Sequence, residues 1–275
     1  MRVLSLFDGI SCGFVALQRA GVKVDRYVAS EIDGYAKIVS RNNHGNKIEY
    51  VGDVCKLNFE EGEFDLILAG SPCQGFSIAG YGQGFEDDRS KLYFEFLRIK
   101  EQVKPKYWLL ENVPMRRAWR NRISSDLWKS PIEINSALVS AQIRKRLYWS
   151  NIPFTIPQNT NINLQNILIK DFEFLKPYKV KRTASREKMW NGSCPNLTKR
   201  NKSNCLTTKQ DRWGNAGLIE FEDFCRYLTE VECERLQTLE DNYTFGVPQT
   251  ERYKLLGNCW TVEVIVHILA NLRNV

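Results

Sequence analysis

The sequence predicts a doubly wound α/β fold with a small, irregular second domain. Three observations lead there. In the first half, short β-rich apolar runs alternate with stretches of helical period, the pattern of a parallel sheet joined by crossover helices. Each of those runs stops at a polar or Gly-rich segment, where the ligand crevice of such a sheet forms. From about residue 151 to 224 the alternation breaks into polar, Asn- and Lys-rich pieces.

Strands are expected at 3–7 (VLSLF), 26–31 (RYVASE), 48–52 (IEYVG), 64–70 (FDLILAG) and 107–113 (YWLLENV), with helices at GFVALQRAG and RSKLYFEFLRIKEQV. QIRKR (142–146) reads as a further strand along which Arg144 and Arg146 alternate. After the irregular stretch, RYLTEVECERLQTL predicts a helix, with Thr229 and Glu232 at capping-box spacing. YKLLGNCWTVEVIVHILANL ends in a long apolar helix that returns to the sheet. The expected division is therefore a catalytic domain of 1–150 and 225–275, with 151–224 inserted. No apolar run approaches the ~20 residues of a membrane span. The opening MRVLSLFDG reads as a strand rather than a signal peptide. An intracellular protein with no membrane partner is expected.

The 8 cysteines form no C-x-x-C pair, and His44 and His267 are the two histidines. A structural metal site needs four clustered ligands, so no metal is expected. The net charge of +7 is unevenly spread. Ten Lys or Arg between 179 and 213 face only Glu187 and Asp211, and Trp190 and Trp213 lie among them. That segment suits a polyanion such as nucleic acid, or a solvated surface.

FDGISCG, residues 7–13, is a Gly-rich turn between strand and helix, offering N–H donors to a ligand. Glu31, about 20 residues on, is placed to accept from ribose hydroxyls, and Asp53 from an adenine amino group. These features describe a nucleoside cofactor without a pyrophosphate cradle, such as S-adenosylmethionine. On the fourth strand's exit lies GSPCQGFSIAG (70–80). Its Pro72 fixes φ and holds Cys73 firmly. Cys73 reads as a small buried residue, a redox or metal thiol, or a nucleophile. No clustered ligand or paired cysteine supports the second reading. Glu111 leaves the adjacent strand about 5 Å away, making a nucleophile with an acid partner. A cytosine ring needs both: a thiolate adds to C6, a carboxyl group assists at N3, and C5 then attacks a methyl group. Arg144 and Arg146 suit the base carbonyl and a flanking phosphate.

FDGISCG, SEID, GD, GSPCQGFS, ENV, QIRKR, RYLTEVECERLQ and LGNCW occur in one order along the chain. In them the sequence resembles the C5-cytosine DNA methyltransferase family over essentially its whole length. VDRYVASE, YVGDV, SAQIRKRLYWSNIP and CWTVEVI resemble the catalytic domain of the animal de novo enzymes. The resemblance implies a Rossmann-like S-adenosylmethionine-dependent sheet with a target recognition domain. It implies double-stranded DNA as partner, S-adenosyl-L-homocysteine as product and no metal. The chain would be a homo-oligomer as in the de novo subgroup, or otherwise a monomer. It would act in bacterial or phage cytoplasm, or in a nucleus if eukaryotic.

By position, the resemblance makes Cys73 the nucleophile and puts Glu111 at N3, Arg146 at the cytosine O2 or the covalent intermediate, and Arg144 beside it. Phe7, Asp8, Gly9, Ile10 and Gly13 would line the cofactor. Glu31 would hold its ribose, Ile32 its adenine face, and Asp53 and Val54 its adenine edge. Pro72 and Leu92 would close the pocket, and Asn258 and Trp260 would contact the cofactor. Residues 74–90 would close over a base flipped from the duplex, with Ser77, Tyr81 and Gln83 near the gap. Thr208, Lys209 and Arg212 would approach bases. The competing readings are a tRNA cytosine-5 methyltransferase and a catalytically inactive DNA-binding regulator.

Overall fold

The computed structural model describes residues 1–72, 92–180, 184, 196–210, 217–221 and 224–274. The chain divides into two compact units. Met1–Asn135, Lys145–Pro157 and Val264–Val275 form the first, and Ser136–Arg144 and Gln158–Glu263 form the second.

The first unit is built on β1 (Arg2–Leu6), β2 (Arg26–Ser30), β3 (Glu49–Tyr50), β4 (Leu66–Gly70), β5 (Tyr107–Asn112), β6 (Ile132–Asn135) and β7 (Lys145–Ser150). Its helices include α1 (Cys12–Arg19), α2 (Gly34–His44), α3 (Leu92–Val103) and α4 (Arg117–Asp126). The strand order is β3-β2-β1-β4-β5-β7-β6. Strands β1 to β5 run parallel. β5 is buried along its length and β1 in all but its first residue, as expected of strands covered on both faces.

The sheet is not wholly parallel, however. β7 runs antiparallel to both β5 and β6. The expected strand at 142–146 begins only at Lys145, and β6 was not foreseen. No crossover helix joins β6 to β7, since residues 136–144 belong to the second unit; an antiparallel neighbour needs none.

Packing follows the helical period. Tyr93, Phe96, Ile99 and Val103 of α3 are all fully buried and cluster with Ile123, Leu127, Trp108, Leu110, Leu147 and Trp149. Each large apolar side chain so buried contributes roughly 1.5–3 kcal/mol. Trp149 also donates its indole N–H to Ser124 Oγ at 3.0 Å. The parallel register sets Leu6 beside Ser30 and Ala69, and Gly70 beside Glu111. The loops leaving β1, β2, β4 and β5 therefore emerge at one edge, and the strand order reverses at β1, the switch point where ligands bind such sheets.

In the second unit, α5 (Leu164–Ile167) and α6 (Phe172–Leu175) precede β8 (Lys179–Val180), β9 (Ile219–Phe221) and β10 (Phe224–Arg226), an antiparallel sheet of order β8-β10-β9. α7 (Glu230–Leu236) and α8 (Gln249–Asn258) follow. The last helix, α9 (Val262–Leu269), begins in this unit and continues in the first. The compact unit thus includes all of 225–263, beyond the expected boundary at 224. Side chains of α7 tie those residues to the 160s. Glu232 pairs with Arg226 at 2.8 Å, the two side chains 0% and 1% exposed, and accepts the Ile169 N–H at 2.8 Å. Arg235 donates to the Ile167 carbonyl at 2.8 Å.

The capping box forms as expected: Thr229 Oγ1 accepts from the Glu232 N–H, and Glu232 accepts from the Thr229 N–H. The helical run Gln249–Leu272 has, by length and composition, the character of a membrane span, and 61% of its most apolar window is buried inside the protein.

Removing one member of a buried ion pair strands the other. Glu232→Ala is expected to cost about 3–5 kcal/mol, whereas Thr229→Ala, which removes only the cap, is expected to cost about 1 kcal/mol. Urea denaturation of the two variants measures the gap.

Candidate active site

The exit from β1 is conformationally unusual. Phe7 (φ 59), Gly9 (φ 62) and Ser11 (φ 62) all occupy the left-handed region. For residues with a Cβ this costs roughly 1–2 kcal/mol each, and such outliers cluster at ligand sites. Glu31, at the exit of β2, offsets part of that cost. Its carboxylate accepts the backbone N–H groups of Gly9, Ile32 and Asp33, each at 2.7 Å, and so ties two strand exits together.

The adjoining Ile32 is 73% exposed, a large apolar side chain left in the open. At the exit of β3, Asp53 accepts from the Cys55 N–H at 3.1 Å and caps a short turn, while Val54 is buried. Ile10 and Gly13 are buried, and Phe7 and Leu92 pack against the core. The left-handed turn, the open isoleucine and the carboxylates of Glu31 and Asp53 thus share one edge. Their donor set fits a nucleoside with an apolar base face and hydroxyl donors.

Asp8, expected beside the cofactor, makes its described side-chain contacts on the inner side. The residue is only partly buried, but its carboxyl is turned inward. It accepts from Ser11 Oγ at 2.5 Å and from Tyr27 Oη at 2.7 Å, groups on residues 0% and 2% exposed. Burial raises its pKa to about 6, against these hydroxyls, which lower it.

On the neighbouring strands, Glu111 and Arg146 meet. Glu111 is 8% exposed and ion-paired to Arg146 Nε at 3.0 Å across the β5–β7 pairing. Beside it, Asn112 donates to Ser71 Oγ at 3.0 Å and accepts the Val113 N–H at 2.8 Å. Asn112 was not singled out in the sequence; its place in ENV was the available signal. It fixes the β4 exit up to Ser71, immediately before Pro72. Cys73, Ser77, Tyr81 and Gln83, like Arg212, lie outside the described residues.

Arg144 has backbone carbonyls as its partners. It is 3% exposed and belongs to the second unit, where it donates to the carbonyls of Leu206 (3.2 Å), Gly257 (3.1 Å) and Cys259 (2.9 Å). The alternation along QIRKR failed because Arg144 precedes β7 rather than lying in it. Gln142 assists by accepting from the Leu206 N–H. A Cβ on Gly257 would sit 2.3 Å from the Thr207 carbonyl carbon, so only glycine allows this approach. Thr208 and Lys209, just beyond, are exposed. Asn258 is exposed and Trp260 half-buried at the end of α8. One cation of the basic segment turns inward: the half-buried Lys202 donates from Nζ to the carbonyls of Ala137, Ser140 and Ile162 at 2.6–2.8 Å. Among the described residues no cluster suited to a metal is present.

The sheet order, the strand-exit carboxylates and the Glu111–Arg146 pair define an α/β fold with a polar strand-exit edge. The C-5 cytosine-specific DNA methylase family model matches residues 1–133 and 122–274, and the chain belongs to that family.

Its relatives include the orphan methyltransferase M.Rho11sI of Bacillus phage rho11s, 41% identical over 116 residues, which are 41% of this chain and 23% of that protein. M.SPRI of Bacillus phage SPR is 34% identical over 189 residues, 66% of this chain and 42% of that protein. The chain thus spans less than half the length of these phage relatives. The type II methyltransferase M1.ScrFI of Lactococcus lactis subsp. cremoris is 29% identical over 98% of this chain and 77% of its own. Among solved structures, the S. pombe Dnmt2 methyltransferase shares the fold with a TM-score of 0.79 at 21% identity, over 100% of this chain and 98% of that one.

The Asp8 carboxyl sets a pH dependence. Its folded pKa of about 6 exceeds the ordinary 3.8, so between those values the folded chain holds a proton that the unfolded chain has released. Its contribution is present at acid pH and is lost as the pH rises through 6. Relative to Asp8→Asn, the wild type is expected to lose on the order of 3 kcal/mol between pH 4 and pH 7. Denaturation of both proteins across that range provides the comparison.

Proposed function

We propose that the chain is a DNA cytosine-5 methyltransferase that acts on a cytosine extruded from a short duplex site. The observation that carries this reading is the Glu111–Arg146 pair at 3.0 Å, with Glu111 on the strand next to the one whose exit leads through Ser71 and Pro72 to Cys73. The family match supplies the chemistry to which that geometry is suited.

Phe7, Gly9, Glu31, Ile32 and Asp53 would hold S-adenosylmethionine, with Asn258 and Trp260 as further contacts. When bound, the cofactor supplies an electrophilic methyl group for C5. This chain's residues do the rest. The Cys73 thiolate adds to C6, forming an S–C bond and breaking the C5–C6 double bond. Glu111 hydrogen-bonds the ring at N3, and Arg146, held against Glu111, binds O2 and offsets the charge that builds in the ring. After methylation the C5 proton leaves to a base, the C5–C6 double bond re-forms and the thiolate departs. Arg144 positions the chain around Leu206 and Gly257.

Residues 151–224 serve as the recognition domain. The exposed Thr208 and Lys209 of that segment read bases, and loop 74–90 closes on the extruded cytosine. Phage and bacterial relatives support a role inside a bacterial or phage-infected cell, beside or apart from a restriction enzyme.

Incubation with labelled S-adenosylmethionine and either unmethylated duplex DNA or tRNA tests this. Label is expected in DNA at cytosine C5, and none with Cys73→Ser. Label in tRNA alone, or full activity in Cys73→Ser, refutes the reading. A separate outcome concerns the exposed Ile32. Its contact with an adenine face amounts to about 1.5 kcal/mol, so Ile32→Ala is expected to weaken cofactor binding about tenfold. Because the side chain is already open to solvent, the thermal midpoint should stay put. Calorimetric titration and a melting curve report the two quantities.

A further inference from the structure

The segment between β5 and β6 carries a charge pattern that the proposed chemistry does not use. Residues 116–129, RRAWRNRISSDLWK, hold five Lys or Arg against one Asp. The structure assigns them to α4 and its flanks. On the inner side, Ile123 and Leu127 enter the core and Ser124 accepts from Trp149. On the outer side, Arg116, Arg117, Arg120 and Arg122 are all exposed. Arg122 pairs with Asp126 at 2.9 Å. Among the described residues, no acidic group pairs with Arg117 or Arg120. The Arg116 guanidinium lies over the Trp119 ring at 5.0 Å, which holds it extended on an aromatic plane.

Helix stability does not account for this pattern. Cations at the start of a helix oppose its dipole, and α4 has no acidic residue in its first turn and no side-chain cap. Arg117 and Arg120, three apart, repel each other. Local rules broken together in this way mark a surface selected for something outside the helix. The location is specific. Arg117 lies only five residues beyond Asn112, so α4 leaves the same sheet edge as Glu111.

We infer that Arg116, Arg117 and Arg120 form a second phosphate-binding surface, gripping duplex DNA on the flank of the target cytosine, separate from the recognition domain. The partner chemistry follows from charge: closely spaced phosphates of a duplex match guanidiniums on successive helical positions. The inference rests on the proposed activity on duplex DNA.

The test is the salt dependence of binding. A fluorescein-labelled duplex of mixed sequence is titrated with the full chain and with Arg117→Ala/Arg120→Ala at several salt concentrations. Each lost phosphate contact reduces the slope of log K against log salt by about 0.9, so the variant should be shallower by about 2. Alanine favours the helix, so its thermal midpoint should not fall.

Lys104→Ala/Lys106→Ala removes the same charge just before β5, at the opposite edge of the sheet, and should leave the slope unchanged. Equal slopes in wild type and the α4 variant overturn the inference. So do equal losses in the two variants, or a loss seen with tRNA but not with the duplex. A wild-type chain that binds duplex DNA without methylating it refutes the proposed activity, while the slopes still judge α4. Absence of duplex binding by the wild type overturns both.

Discussion

A parallel sheet leaves the chain with a problem at one edge: each loop that departs there carries backbone N–H groups with no strand to receive them. Buried without partners, such groups are costly. Here side-chain acceptors meet the need. Glu31 takes three N–H groups from two loops, Asp33 takes those of Tyr35 and Ala36, Asp53 that of Cys55, and Asn112 its neighbour's. The rest of the site depends on this edge being firm. A left-handed Phe7 persists only because the loops around it are held from outside.

The same economy extends to the β5–β7 pairing. Glu111 and Arg146 face each other because β7 turns back beside β5, and an ion pair at that depth is held by two strands rather than by flexible stems. A carboxylate and a guanidinium so placed keep their spacing without help from a ligand, which is the preorganisation that charge stabilisation requires. Arg144, two residues earlier, shows the alternative use of the same side chain. Buried among carbonyls, it satisfies backbone groups that no strand reaches.

Much of this was legible in the sequence because it depended on local pattern. The five parallel strands follow from apolar runs bounded by polar exits, and the Thr229–Glu232 box from spacing alone. Glu31, Ile32 and Glu111 fell on strand exits, where residue type and position point the same way. What escaped depended on long-range partners. β7's direction is set by where residues 136–144 go, not by its own composition. Nothing local distinguishes Arg144 from Arg146, or marks Lys202 as a cation that serves three carbonyls. The inward turn of Asp8 needed Tyr27, nineteen residues away. Charge counted in one window of 35 residues also obscured the smaller concentration on α4.

The chain passes between the two units four times, after Asn135, Arg144, Pro157 and Glu263. Neither unit is therefore a contiguous piece of sequence, and the first acquires its final helical residues only after the whole of the second has been made. The last part of the first unit is made nearly 130 positions beyond Asn135. Completion of the first unit is thus tied to residues made after the second, and a chain that stops at Glu263 lacks most of α9.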